Sequence, residues 1–162
     1  MTMPRLTEDE ARRRFTACRV ARLATVDPAG RPHQVPVAFA AAAGPDRLVT
    51  AVDHKPKSTR RLKRLANIAA RPAVCLLADA YDEDWDRLWW ARADGDARVL
   101  TPGGPDPAER RAYDDAVALL RAKYPQYRDV PPAGPVITVT VRRWSGWQAR
   151  TGEPAAQDLR RR

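Results

Sequence analysis

Residues 135–144 read PVITVTVRRW, and no other stretch constrains the fold as much. Ile137, Val139 and Val141 fall on one side of an extended chain, with Thr138, Thr140 and Arg142 on the other. A period of two marks a strand with one buried and one wetter face, so neighbouring strands and an apolar layer must cover it. Other segments supply them. Residues 19–26 (RVARLATV) are short, apolar and β-branched at the end. DPAG at 27–30 is a turn, because proline presets φ and glycine accepts positive φ. A second strand over 33–41 returns antiparallel, Gly44, Pro45 and Asp46 turn the chain again, and 48–52 is a third strand. Three strands at this spacing predict a meander.

The period then changes. Leu62, Leu65, Ala66, Ile68 and Ala69 make one apolar stripe at helical spacing, which predicts a helix over 58–69 with Ser58 or Thr59 as N-cap and Pro72 as its stop. An opening helix over 7–16 carries a capping box in Thr7 and Glu10. Residues 73–80 (AVCLLADA) form a buried strand. After the acidic turn 82–86 a long strand runs over 88–100, with Gly95 as a bulge or bend. A loop at 101–105 leads to a helix over 107–123, whose Tyr113, Val117, Leu120 and Tyr124 share a side. Four prolines make 125–135 irregular. Strands outnumber helices. The order suits a mainly β domain over 1–152, an antiparallel β-barrel with flanking helices at its open ends, followed by a polar, loose tail at 153–162.

At 162 residues the length fits one domain. The net charge of +9 suggests an anionic partner, either nucleic acid or a small molecule bearing phosphate or carboxylate. No concentrated basic helix or RNA-binding signature accompanies it, which disfavours nucleic acid. No apolar run approaches the roughly 20 residues of a membrane span, and the opening MTMPRLTEDE lacks a secretory apolar stretch, so a cytoplasmic protein is expected. Cys18 and Cys75 sit in apolar runs and read as small core residues. With His33 and His54 they give no zinc spacing, and no metal site is expected.

Residues 53–62 (DHKPKSTRRL) join a strand end to a helix start. Unpaired N–H groups there attract phosphate, Lys55 and Lys57 add charge, and Ser58 and Thr59 add hydroxyl donors. The segment is a phosphate cradle or a solvated basic loop with an ordinary cap. Five tryptophans are the second unusual feature. Trp89 and Trp90 are adjacent on a strand and point to opposite faces. Trp144 and Trp147 close the last strand near Gly146, where they wall a flat heterocycle, bury a subunit seam, or fill the core. No dinucleotide fingerprint, Walker loop, nucleophile elbow or HExxH motif is present, and no catalytic side chain is assigned. The acidic cluster Asp79, Asp82, Glu83, Asp84 and Asp86 lacks calcium-loop spacing and reads as a solvated turn.

Taken in order, VARLATVDPAGRP, the strand at 48–52, the loop and helix at 55–62, the strand at 73–79, the strand around Gly95 and the closing 139–147 segment resemble the pyridoxamine 5'-phosphate oxidase-like split β-barrel proteins, in particular their F420-dependent branch. The resemblance covers roughly residues 10–150. It implies an oxidoreductase that transfers a hydride between F420, or alternatively FMN, and an unsaturated organic substrate. It also implies a homodimer with cofactor sites at the interface. Lys55, Lys57, Ser58 and Thr59 would hold the cofactor phosphate. The ring would lie against His33, Gln34, Val35 and Pro36 and against Thr50, Ala51 and Val52, with residues of the other subunit completing the pocket and Trp147 as a further cofactor-binding residue. Where the family pattern places a lysine four residues before the helix leucine, this chain has Ser58, with Lys57 one residue earlier. A non-catalytic carrier of F420 or flavin is the alternative outside enzymes.

Overall fold

The computed structural model describes residues 5–44, 46–52 and 63–149. Helix α1 (Glu8–Ala17) starts at the expected capping box. The Thr7 hydroxyl accepts from the Glu10 N–H at 3.2 Å, and the Glu10 carboxylate accepts from the Thr7 N–H at 2.9 Å. Ala11 and Phe15, one turn apart, are its buried face. Strand β1 (Val20–Val26) turns at Asp27 into β2 (Pro32–Ala38). The chain goes on through β3 (Ala40–Ala41), β4 (Arg47–Ala51), α2 (Lys63–Ala70), β5 (Ala73–Ala80) and β6 (Trp89–Leu100). It ends with α3 (Pro107–Lys123), α4 (Pro125–Asp129) and β7 (Val136–Gln148). Among the described residues, no helix is long and apolar enough to cross a membrane.

All seven strands form one antiparallel sheet in the order β2-β1-β5-β6-β7-β4-β3. This is the curled sheet of a split β-barrel, and it corrects the expected meander. The third strand does not lie beside the second. Instead β4 pairs with β7 on one side and with the two-residue β3 on the other, so it has no ladder with β2. The break at Phe39 has a cause. Its N–H donates to the Tyr124 hydroxyl at 3.0 Å, and that hydroxyl lies 2.7 Å from its carbonyl oxygen. Tyr124 thus takes both polar groups of Phe39 out of the ladder, and the single strand expected over 33–41 divides there.

The inward residues of the curled sheet make the main core. Leu23, Val37, Phe39, Leu48, Leu76 and Ile137 are all buried. Helix α1 packs against it through Phe15, whose ring lies 4.9 Å from Phe39 and 5.3 Å from Trp144, and α2 contributes Ile68. Burying a phenylalanine of this kind is worth roughly 2–3 kcal/mol. A second cluster forms where Tyr113, Ala116 and Leu120 of α3 cover Val49, Ala51, Leu100 and Val136. Strand β4 is therefore buried on both faces, which explains its continuous apolar run.

Two further expectations are corrected. Residues 125–129 are helical, not irregular. Pro125 occupies the first helical turn, where its missing N–H is no loss. The closing strand does not stop at Trp144 but runs to Gln148. It continues by way of a bulge. Asp94 pairs with Arg143 while Gly95 pairs with Val141, so Arg142 is the extra residue. Val139 and Val141 face the core before the bulge, and Trp144 and Gly146 face it after. Gly95 permits this, since a Cβ there would stand 2.2 Å from the Thr140 carbonyl oxygen.

Candidate functional site

Strand β2 is where the expected ring-binding residues gather, and its two faces differ. His33 and Val35 point inward, opposite Thr25 and Leu23 of β1, and are half-buried. Gln34 and Pro36 point outward and are exposed. The four residues therefore do not form one wall, and only Gln34 and Pro36 are open to a ligand on the outer face. Thr50, Ala51 and Val52 stand near the other end of β2. Thr50 donates its hydroxyl to the Ala38 carbonyl at 2.7 Å, so that donor is consumed within the fold. Ala51 and Val52 are both 8% exposed, and the Val52 N–H is bonded to the Pro135 carbonyl at 3.1 Å.

A buried polar group marks the opposite end of β2. Asn67 of α2 donates to the Thr25 hydroxyl at 3.0 Å, and both side chains are buried. The Asp27 carboxylate accepts from the backbone N–H groups of Ala29 and Arg31 at 3.0 and 2.9 Å and from the Arg31 guanidinium at 2.8 Å. Lys63, the first described residue of α2, lies 3.8 Å from it. The Arg31 backbone bond, followed by the Arg31 side-chain bond, holds the Asp27 carboxyl below the usual aspartate range. His33 sits opposite Thr25, and its buried Nδ1 has no partner among the described residues.

Residues 53–62 thus join Val52, which follows the Thr50 contact with the C-terminal end of β2, to Lys63, which is held to the turn preceding its N-terminal end. Lys55, Lys57, Ser58 and Thr59, with the proposed cap of α2 and His54, fall in that segment and lie outside the described residues. The flavin or deazaflavin fit can be judged on the rest. The exposed Gln34 amide can donate and accept at the polar edge of a ring, the exposed Pro36 offers a flat apolar surface, and Thr50 has no hydroxyl to spare.

Trp147 is not brought to this place within one chain. Thr50 pairs with Ile137 at one end of β7, whereas Trp147 pairs with Trp90 near the other. Trp89 points inward and packs against the core, under the Arg14 guanidinium at 5.5 Å. Trp90 points outward with the Arg92 guanidinium 5.9 Å from its centroid. Sequence reasoning assigned no role to Asp27 beyond its turn, or to Asn67. The signal for Asn67 was an amide set among the apolar residues of the α2 stripe. Among the described residues no group of three metal-ligating side chains comes together. Cys18 and Cys75 are free thiols, and burial pushes both pKa values up.

Comparison with known proteins yields a family match and a set of structural likenesses. The family described as pyridoxamine 5'-phosphate oxidase matches residues 7–148. No curated protein matches the chain in sequence. An FAD-binding protein from Mesorhizobium loti is similar in structure at a TM-score of 0.65 and 20% identity, covering 92% of this chain and 99% of its own. A putative pyridoxamine 5'-phosphate oxidase from Corynebacterium glutamicum gives 0.58 at 16% identity, covering 94% and 98%. The haem storage protein of Vibrio cholerae gives 0.59 at 14% identity, covering 90% and 91%. At these identities the likeness is one of fold.

Proposed function

The chain belongs to the pyridoxamine 5'-phosphate oxidase family, and from that premise we propose that it is an F420-dependent oxidoreductase acting on an unsaturated organic substrate, with FMN as the alternative cofactor. The observation that supports the reading is that the residues flanking 53–62 meet the two ends of the β2 hairpin strand, Thr50 at Ala38 and Lys63 at Asp27. Lys55, Lys57, Ser58 and Thr59 belong to that connection and would neutralise and bond the cofactor phosphate. Gln34 and Pro36 would seat the ring. When bound, the cofactor supplies the hydride chemistry. The chain binds it, orients it and keeps water from its face, so no acid–base dyad is required. The net charge of +9 suits F420, which carries a phosphate and an anionic glutamate tail. The FAD-binding relative in fold favours the flavin alternative.

We also propose a homodimer. Val20 is 47% exposed on the outward face of β1, and Ala24, Cys75 and Leu77 extend that face as half-exposed residues belonging to neither core cluster. A second copy laid on this face would bury them and bring its own Trp147 toward the ring. Titration of the purified protein with F420 and with FMN tests the cofactor. Micromolar FMN binding with no F420 binding rejects the first reading, and failure of both rejects the oxidoreductase. F420 binding without reduction of any enone, quinone or tetrapyrrole would make the protein a carrier. Sedimentation at micromolar concentration tests the dimer.

A further inference from the structure

Strand β3 ends the sheet, and only β4 pairs with it. Ala40 lies opposite Val49 and Ala41 opposite Leu48, and the Ala42 N–H donates to the Arg47 carbonyl at 2.9 Å. In an antiparallel ladder alternate residues turn both backbone groups to the neighbouring strand, and the residues between turn theirs the other way. Ala40 and Ala42 therefore face β4, whereas the N–H and C=O of Ala41 face the outer edge. Neither of those two groups has a hydrogen-bond partner among the described residues. Most natural sheets cover or blunt such an edge, because it is a template for another strand.

A groove of about 720 Å³ follows that edge and is lined by Ala40, Ala41 and Ala42. Helix α1 adds Arg12, Arg13 and Thr16 to it, and α3 adds Leu119, Ala122 and Lys123. The two helices flank the edge, which leaves room for one extended chain and none for a second sheet. Charge in the groove is unbalanced. Arg12 is bonded to Asp46 at 3.0 Å, but the exposed Arg13 makes no hydrogen bond or ion pair among the described residues. The Lys123 ammonium meets carbonyl oxygens, those of Cys18 at 2.6 Å and Thr16 at 3.4 Å, and no carboxylate within 4 Å among the described residues. Asp9, one turn before Arg13 on α1, is the acidic residue in the lining. The groove thus offers a strand edge, an apolar strip of alanines with Leu119, and an excess of positive charge.

We infer that this groove binds an extended acidic peptide, which adds one short strand to the β3 edge. The peptide residue opposite Ala41 exchanges N–H···O=C bonds with it, in the manner of strand addition to a sheet edge. Side chains alternate along the added strand, so apolar ones reach Leu119 and Ala122 while carboxylates reach Arg13. One pair of backbone bonds contributes little net affinity. Charge-assisted bonding to Arg13 therefore decides between acidic and basic sequences. The groove shares no residue with the proposed cofactor site, and its occupancy is independent of that reading.

The test uses the full chain and a short fluorescein-labelled peptide that alternates valine and glutamate, followed by fluorescence anisotropy. A counterpart with lysine for glutamate should bind at least about tenfold more weakly. Two further versions carry N-methyl groups, one on the valine amides and one on the glutamate amides. Alternate amides point to opposite edges of a strand, so one version should lose at least about tenfold in affinity and the other should stay within about threefold. Arg13→Gln should weaken the glutamate peptide at least about fivefold and leave the lysine peptide no weaker. Ala41→Pro removes the outward N–H and none of the ladder bonds to β4, and it should abolish binding. Circular dichroism and the urea midpoint show whether that variant folds. If it does not, the two methylated peptides decide the matter on the wild-type protein. No binding of the glutamate peptide, equal binding of the lysine peptide, or indifference to Arg13 overturns the inference. Equal effects of the two methylations also overturn it, and would assign the groove to a free carboxylate instead of a strand.

Discussion

The Thr50 hydroxyl donates to the carbonyl oxygen of Ala38 at 2.7 Å, and this bond ties β4 to β2 where the two are not ladder neighbours. Both residues lie at the seam where the second strand changes partner. Thr50→Val keeps the shape and removes this bond in a place where Thr50 itself is 2% exposed. The loss should be roughly 1–3 kcal/mol, read as a fall in urea midpoint at unchanged m-value.

Gly95 makes a sharper case. Its backbone conformation is ordinary, and what forbids a side chain is the Thr140 carbonyl oxygen, 2.2 Å from any Cβ, together with the Thr140 carbonyl carbon at 3.0 Å. Backbone atoms cannot swing away as a flexible side chain would. Gly95→Ala should cost more than about 3 kcal/mol or abolish folding, whereas Gly44→Ala, with open space around it, should change the melting temperature little.

Asp27 predicts the acid limb of stability. Its carboxyl titrates below the unfolded value because Arg31 donates to it from backbone and side chain. The stabilisation is complete above the unfolded aspartate pKa of about 3.9 and is lost as pH falls through the lower folded value. Glu10, held down by its bonds to Thr7, has the same sign. Urea titrations between pH 6 and about 2 should show a shallower acid slope for Asp27→Asn than for the wild type, and a lower plateau at neutral pH.

Lys123 predicts the opposite limb. Burial, followed by repulsion from Arg19, lowers its ammonium pKa to about 8. Its Nζ donates to the Cys18 carbonyl at 2.6 Å and sits 3.8 Å from the Phe39 ring centroid. Between pH 8 and 10.5 the unfolded chain keeps a proton that the folded chain has lost, so this residue makes stability rise with pH. The thiols and tyrosines with raised pKa values pull the other way. The readout is therefore the unfolding free energy of wild type minus that of Lys123→Met, which should rise steadily with pH over that interval.

The phosphate assignment predicts that Lys55→Ala with Lys57→Ala weakens F420 or FMN binding by roughly 2–4 kcal/mol, with unfolding in urea unchanged. Unchanged affinity would remove the assignment. Single variants identify the dominant contact, which the sequence leaves between Lys55 and Lys57.

Much of the fold could be read in advance, and the reasons are local. Thr7 with Glu10 fixed the start of α1, the alternation around Val139 fixed β7, and Asp27 to Gly30 fixed the first hairpin, because each depends on neighbours within a few residues. The errors share the opposite property. Phe39 breaks its strand only because Tyr124, distant in sequence, takes its backbone groups. β4 leaves the meander because β7 offers a longer ladder. The candidate site behaved likewise. The alternation of β2 already set Gln34 and Pro36 opposite His33 and Val35, but nothing local shows that the Thr50 hydroxyl is spent on Ala38, or that Asn67 reaches Thr25.

Arg142 has a consequence for how the chain tolerates change in length. It works as a phase marker: upstream, odd-numbered residues face the core; downstream, even-numbered ones do. Deleting this one exposed arginine would remove the bulge and leave Trp144 and Gly146 inward, because Arg143 alone would then separate Val141 from Trp144; straightening the bulge at unchanged length would instead turn both into solvent. A surface residue paired with Asp96 at 3.2 Å is therefore a position in this strand whose loss leaves the phase of the aromatic contacts after it intact. Replacing or removing it should keep Trp144 and Gly146 in the core, whereas deleting a ladder residue such as Thr140 should not.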